Sequence, residues 1–554
     1  MIKNIATIAT LSLLLASCGQ DTSGENKSTG AAVMTTASLA GNIQTLSSDE
    51  FAGRSPGTPG EDKTVAFLVK AFKEAGLAPA NGDSYVQNVP LVSIEPSSNA
   101  ELSFSGGKGD AMQVTYIKDY VVTTRRLVER VDVQDSDLVF VGYGINAPER
   151  DWNDYEGLDV TGKTVVMLIN DPGFATQDAT VFNGNDMTYY GRWTYKYDEA
   201  ARQGAAGVII IHDSKPASYP FSVVQSGWTG PQFDMVSTDK GMGFSQFESW
   251  VSHDVASQLF NKAGLNLADL EAAASKKGFK AIALNMTASA SIENTITYHQ
   301  SRNVAAKVIG SETPDEAFVY MAHWDHLGVD PSIEGDGIYN GALDNATGTA
   351  SLIEMAKAFN SLEIKPKRSI LFLAVTAEEQ GLLGSAYYAA NPLVPHAKTV
   401  GGINIDSPNS FGPTHDIVVV GYGNSELDKY LESAATKAGR YISDDPHKER
   451  GYFYRSDHFS LSKQGVPTLF PGAGIDHIEK GKAYGIARGE DYEKNRYHQP
   501  SDEFDDSWDL NGQLADLELY FDTGFMIADS VEWPAWYDGT EFKAIREEQL
   551  AAKP

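Results

Sequence analysis

Apolar positions along this chain fall into three successive patterns. Over residues 38–80 they recur at helical spacing, with Val65, Phe67, Leu68, Phe72 and Leu77 following Thr58-Pro-Gly-Glu-Asp and with Gly76 and Pro79 closing the run. Proline and acidic residues at the start, and glycine at the end, are what helix termini select. Residues 82–130 alternate instead, most clearly at 85–94 and 114–123, which predicts half-buried strands. From 135 to 295 short apolar runs end in glycine turns. Residues 137–144 (Asp-Leu-Val-Phe-Val-Gly-Tyr-Gly) and 162–169 read as strands, and 198–211 as a helix, a turn and a buried strand. Asp171, His212 and Asp213 beside these strands read as turn and cap residues.

Beyond residue 302, apolar runs at 317–322, 369–376, 400–405, 416–421 and 466–470 read as buried strands. Helical patterns at 348–362 and 425–439 lie between them, so this region predicts an α/β domain with a mostly parallel sheet flanked by helices. There is no internal repeat, and the charged tail from 540 reads as a frayed helix.

Composition narrows the function classes. A chain of 554 residues with 42% hydrophobic and 21% charged residues can bury a large core. Its formal net charge of −30 argues against nucleic acid as a partner, because phosphate contacts need basic patches. The single cysteine, Cys18, excludes an intrachain disulfide. A short basic start, an uncharged apolar run at 5–15 and Leu-Ala-Ser-Cys at 15–18 read as a signal peptide. That end resembles a bacterial lipobox, which implies export and a lipid anchor on Cys18 as the chain's contact with a membrane. Gly19 and Gln20 follow the cysteine with no Asp, which points to the outer membrane. Residues 19–37, rich in Gly, Ser, Thr and Asn, read as a flexible tether.

The candidate chemistry gathers where an open α/β sheet places ligands, outside the carboxyl ends of its strands. His323 follows one strand in Ala-His-Trp-Asp-His, Glu378 and Glu379 follow another in Thr-Ala-Glu-Glu, and Asp406 follows a third in Ile-Asn-Ile-Asp. Asp344 precedes the 348–362 helix, and His498 lies late in Arg-Tyr-His-Gln-Pro. Two imidazoles and three carboxylates (His323, Asp344, Glu379, Asp406, His498) suit two divalent ions with one carboxylate bridging. Asp325, two residues beyond His323, is placed to orient that imidazole if the chain stays extended. Glu379 then binds metal while Glu378 serves as general base and acid. Tyr497 can donate to an oxyanion. Asp457-His458 reads as supporting, substrate-facing or structural, and His326, His447 and His477 as structural or exposed.

These segments together resemble the co-catalytic dizinc metallopeptidases of family twenty-eight, which includes aminopeptidases and glutamate carboxypeptidase-like enzymes. The likeness covers roughly 38–130 and 296–535, and the intervening stretch resembles an inserted β-rich protease-associated domain. The resemblance implies a phosphorylase/hydrolase-like zinc exopeptidase fold. It implies a layout of N-terminal peptidase part 38–134, insertion 135–295, catalytic domain 296–540 and tail 541–554. It further implies two Zn2+, with Mn2+ or Co2+ as substitutes. His323 with Asp406 holds one ion, Glu379 with His498 the other, and Asp344 bridges. Glu378 is implied as proton shuttle, Asp325 as the residue orienting His323, and Asp344–Asn345 as a cis peptide. The activity implied is cleavage at peptide N-termini. The alternatives are a dipeptidase or glutamate carboxypeptidase-like enzyme, then a glutaminyl cyclase or a non-catalytic binding protein. Two features depart from the carboxypeptidase type: only a short chain follows His498, and no arginine-rich glutamate pocket can be traced. Side-chain preference and oligomeric state leave no mark in the sequence.

Overall fold

The structure is a computed structural model, and it describes residues 30–552. The signal peptide and lipobox reading, and most of the tether, fall outside these residues.

Four mutually parallel strands form the centre of the larger sheet, in the order Thr468–Gly472, Thr399–Asn404, Thr313–His323 and Arg368–Val375. Every residue of Arg368–Val375 and of Thr399–Asn404 is buried. Strands covered on both faces are read in sequence as unbroken apolar runs, which is why these elements were visible there. Alternate side chains divide between two layers. Phe318, Tyr320, Ile370 and Phe372 pack with Leu39, Leu68, Phe359 and Phe521, which come from four helices: Thr36–Leu46, Pro59–Glu74, Thr347–Ser361 and Asn511–Ala528. Val319, Met321, Leu371 and Leu373 face the other way, onto Tyr388 and Leu461 of two short helices. Antiparallel strands flank the parallel centre: Asp416–Val420 beside Thr468–Gly472, and Ile282–Val308 beside Arg368–Val375.

Ile282–Val308, 27 residues long, serves two sheets. Its second half pairs with Val86–Pro96 and Arg368–Val375, and its first half with Arg130–Phe140 and Glu101–Gly106. The second sheet continues through parallel Thr164–Leu168, Gly207–His212 and Phe247–Ser252 to antiparallel Tyr120–Thr123. It has its own core around Leu102, Phe140, Ile209, Phe247 and Ile292. Its strands are therefore drawn from both the 38–134 and the 135–295 stretches. Asp171 and Asp213 cap helices here, accepting the N–H groups of Gly173 at 3.0 Å and Lys215 at 3.2 Å.

Two terminal segments differ from their sequence reading. Residues 30–37 are packed rather than free: Met34 is buried in the core, and Thr35 accepts from Ser38 N as a helix cap. The tail forms the helix Lys543–Ala551, held by Arg546, whose buried guanidinium donates to the carbonyls of His396 at 2.9 Å and Thr399 at 2.8 Å. Composition shows neither anchor: Met34 is held by core packing, and Arg546 by backbone carbonyls nearly 150 positions away. No helix among the described residues is long and apolar enough to cross a membrane.

Candidate metal centre

The parallel register brings the chemistry together. His323 ends its strand and pairs with Val375, the last residue of the neighbouring strand, so Glu378 and Glu379 emerge level with it. Asp406 leaves the adjacent strand on the other side, where Met321 pairs with Asn404. Ala377, at φ 53°, turns the chain sharply between strand and glutamates. An alanine held in this left-handed region costs about 1 kcal/mol or more, so the surrounding packing imposes the turn. Asp344 comes from the loop before Thr347–Ser361, and its peptide bond to Asn345 is cis.

Asp344 stands between the two imidazoles. Its Oδ1 lies 3.2 Å from His323 Nε2, and its Oδ2 lies 3.4 Å from His498 Nε2. Asp406 Oδ1 approaches His323 Nε2 at 3.4 Å, and Glu379 Oε2 approaches His498 Nε2 at 3.0 Å. The expected five ligands thus form two adjoining groups that share one carboxylate. His498 Nε2 is buried yet makes no aligned hydrogen bond, although carboxylate oxygens surround it. That is the geometry of donor atoms gathered around a cation rather than bonded to one another, and the set suits zinc.

The electrostatics show the same demand for positive charge. Burial opposes charge on His323, yet Glu378, Asp406 and Asp344 hold its imidazolium well above the ordinary range. His498, also opposed by burial, is held up at about 10 by Glu379 and Asp344. Asp344 is pushed up by burial but held well below the ordinary carboxylate range by His323 and His498. Glu379 is pushed up by burial and Asp344, and is brought down to about 2 by His326 and His498. Burial instead lifts Glu378 well above the ordinary range, helped by Glu379, Asp457 and Asp406 against the pull of His323.

The remaining expected residues are placed as follows. Asp325 is fully buried, but its carboxylate lies 3.9 Å from His323 Nδ1. The nearer contact to that nitrogen, at 3.2 Å, is the Asp325 backbone carbonyl. Strand pairing stops at His323, so the two-residue alternation no longer governs position 325. The carboxylate instead accepts the backbone N–H groups of Glu378 at 3.1 Å and Glu379 at 3.4 Å, pinning the glutamate turn. Tyr497 stacks on His498, with ring centroids 3.9 Å apart, and is 37% exposed at the mouth of the site. Asp457 and His458 are buried, and Ser456 Oγ donates to Asp406 Oδ2 at 2.7 Å.

His326 belongs to the site, contrary to its sequence reading. It is fully buried, and its Nδ1 lies 2.5 Å from Glu379 Oε1. With Asp344 and Glu379 it forms one of three candidate ligand groups among the described residues, the others being His323–Asp344–Asp406 and His323–Glu378–Glu379. Its place in Ala-His-Trp-Asp-His was the only available signal. His477, by contrast, is structural, its Nδ1 accepting from the backbone N–H groups of Glu479 and Lys480 at 3.1 Å each.

Residues 303–521 match the model of peptidase family M28. The chain is 36% identical over 209 residues to a "Probable zinc metalloprotease" of Pyrenophora tritici-repentis, covering 33% of this chain and 46% of that one. It is 28% identical over 257 residues to leucine aminopeptidase 2 of Arthroderma otae, covering 44% and 47%. The matches thus span about half the length of these two relatives. In fold, the chain resembles the aminopeptidase from Aneurinibacillus sp. strain AM-1, with TM-score 0.50, 20% identity, and coverage of 92% of this chain and 97% of that one.

Proposed function

We propose that this chain is a two-zinc exopeptidase that removes residues from the N-termini of peptides, exported and lipid-anchored through Cys18. The observation that carries the catalytic reading is Asp344, whose two oxygens each face a different imidazole–carboxylate pair. His323, Asp406 and Asp344 would hold one zinc, and His498, Glu379 and Asp344 the other. Bound zinc supplies polarisation of the scissile carbonyl and acidification of the attacking water.

The side chains perform the remaining steps. Glu378 bonds to no metal in this assignment and keeps its carboxylate for the attacking water. Burial raises its proton affinity, which suits a group that takes a proton from water and then delivers it to the leaving amine. Burial and the neighbouring carboxylates Asp344, Glu379 and Glu378 hold the Tyr497 phenol well above its ordinary range, so it remains a donor for a developing oxyanion. Asp325 keeps Glu378 in place through its backbone N–H.

A segment between two strands of the second sheet packs against residues that flank Ser456 and Asp457. Met187 N donates to Lys448 O at 3.1 Å, and the Tyr189 ring packs 5.3 Å from Phe459. The likeness to leucine aminopeptidase 2 of A. otae supports the N-terminal end. Elemental analysis combined with a panel of aminoacyl-p-nitroanilides and N-acetylated dipeptides tests the reading. Two zinc per chain with amine-dependent cleavage is the expected result. Hydrolysis of only the acetylated dipeptides would overturn the N-terminal assignment, and absence of metal would overturn the mechanism.

A further inference from the structure

The loop that presents Asp344 is gripped from both sides by side chains that are not ligands. On one side lies Arg54, 1% exposed and buried beneath the site. Its Nη1 donates to Asn340 O at 2.6 Å and to Leu46 O at 2.7 Å, its Nη2 to Gly341 O at 2.9 Å, and its Nε to Trp324 O at 2.8 Å. On the other side, Asp502 Oδ1 accepts Leu343 N and Oδ2 accepts Asp344 N, each at 3.0 Å, while its carbonyl accepts Ala342 N at 3.0 Å. Tyr492 steadies Asp502 with a 3.1 Å hydrogen bond to Oδ2. Arg54 therefore takes the carbonyls of residues 340 and 341, and Asp502 takes the N–H groups of 342, 343 and 344.

Arg54 is an unusual choice for holding neutral carbonyls. Burying a guanidinium is costly unless its charge and all its donors are used. No carboxylate pairs directly with it among the described residues, yet Asp502, Asp325, Asp344 and Glu379 are all near enough to favour its charge. The local backbone is shaped to insert it. Ala52, Gly53 and Arg54 adopt φ values of 48°, 63° and 51°, and a Cβ at Gly53 would meet Gly328 O at 2.4 Å. A left-handed run that includes two non-glycine residues persists only where its surroundings over-determine it.

We propose that Arg54 and Asp502 are positioning residues for the bridging carboxylate. Between them they fix residues 340–344 and so set where Asp344 stands between His323 and His498, the imidazoles that would each hold a metal. Arg54 also makes the N-terminal helical segment part of the catalytic apparatus. This inference rests on the two-metal reading above.

The test uses the full-length protein with Arg54→Lys, Asp502→Asn and the control Ile43→Val, a core substitution on the helix that also supplies Leu46 O. Zinc affinities come from chelator competition, spin coupling from EPR of the dicobalt form, and folding from thermal melts. Lysine keeps the charge but lacks the planar fork, and asparagine keeps the shape but presents a donor to one of the two N–H groups. Both variants are expected to bind the first metal, to bind the second at least about tenfold more weakly, and to lose dicobalt coupling. Ile43→Val should melt earlier with metal binding unchanged. Wild-type second-metal affinity and coupling in both clamp variants would overturn the proposal. Should Arg54→Lys not fold, Asp502→Asn decides alone. A wild-type protein that binds one metal or none fails the two-metal reading itself, a result separable from failure of the clamp.

Discussion

Replacing Glu378 with glutamine isolates the proton-transfer step. The substitution keeps the side chain's shape and leaves all five proposed ligands in place. It also preserves the backbone N–H of residue 378, which donates to Asp325 Oδ1 at 3.1 Å and holds the turn. What disappears is a proton acceptor beside His323. General acid–base groups contribute about 10²–10⁴-fold to rate, which corresponds to roughly 3–5 kcal/mol of transition-state stabilisation. Because Glu378 is the charge that most favours the His323 imidazolium, its loss also removes attraction for cations, and the assay belongs at saturating zinc. Turnover of leucine p-nitroanilide, with zinc content measured on the same sample, gives the readout. We expect kcat to fall by at least two orders of magnitude and KM to change little, because the interaction lost is made chiefly in the transition state. A variant that carries two zinc ions and keeps kcat within about tenfold of wild type would refute the assignment of Glu378 as the base.

Other expectations address separate parts of the molecule. Adding zinc to metal-free protein at pH 7 should release about two protons, those held on His323 and His498, and calorimetry in buffers of different ionisation enthalpy would detect them. Release of none would show the imidazoles already neutral. His326→Gln should weaken zinc binding by about 10–100-fold through loss of its contact to Glu379, whereas His477→Gln should leave it unchanged. Equal affinities in the two variants would remove His326 from the site. Burial pushes Glu248, with Arg125 opposing, from 4.5 to about 8, so the folded state holds a proton that the unfolded chain releases. Stability therefore falls as pH rises from about 4.5 to about 8, on the order of a few kcal/mol in all. Glu248→Gln should flatten that slope in thermal melts and stabilise the protein above neutral pH, and an unchanged slope would refute the assignment.

How much of this was legible in the sequence depends on which groups make each contact. Arg368–Val375 and Thr399–Asn404 could be read because strands buried on both faces leave apolar runs. His323, Glu379 and Asp406 could be read because the parallel sheet directs ligands to strand ends. Arg54 could not: its partners are backbone carbonyls, which every residue possesses, and the contact joins residues nearly 300 positions apart. His326 and the Asp325 carboxylate were misplaced for a shared reason. Both follow the last paired residue of a strand, where extended geometry ends and the path of the chain sets direction. The second sheet begins ahead of the change in character at 135 because Glu101–Gly106 and Tyr120–Thr123 join it by pairing, and strands carry no sequence mark of which sheet they enter.

The strand shared by both sheets also governs what happens on the ribosome. Val86–Pro96 leaves the exit tunnel early, but its partner residues, Val304 to Asn294, are made about 200 positions later. At 5–20 residues per second that interval is roughly 10–40 s, during which the edge of Val86–Pro96 that later meets Ile282–Val308 has no partner strand. Until then the larger core, which takes Val304, Ala306 and Val308 from the shared strand, cannot close.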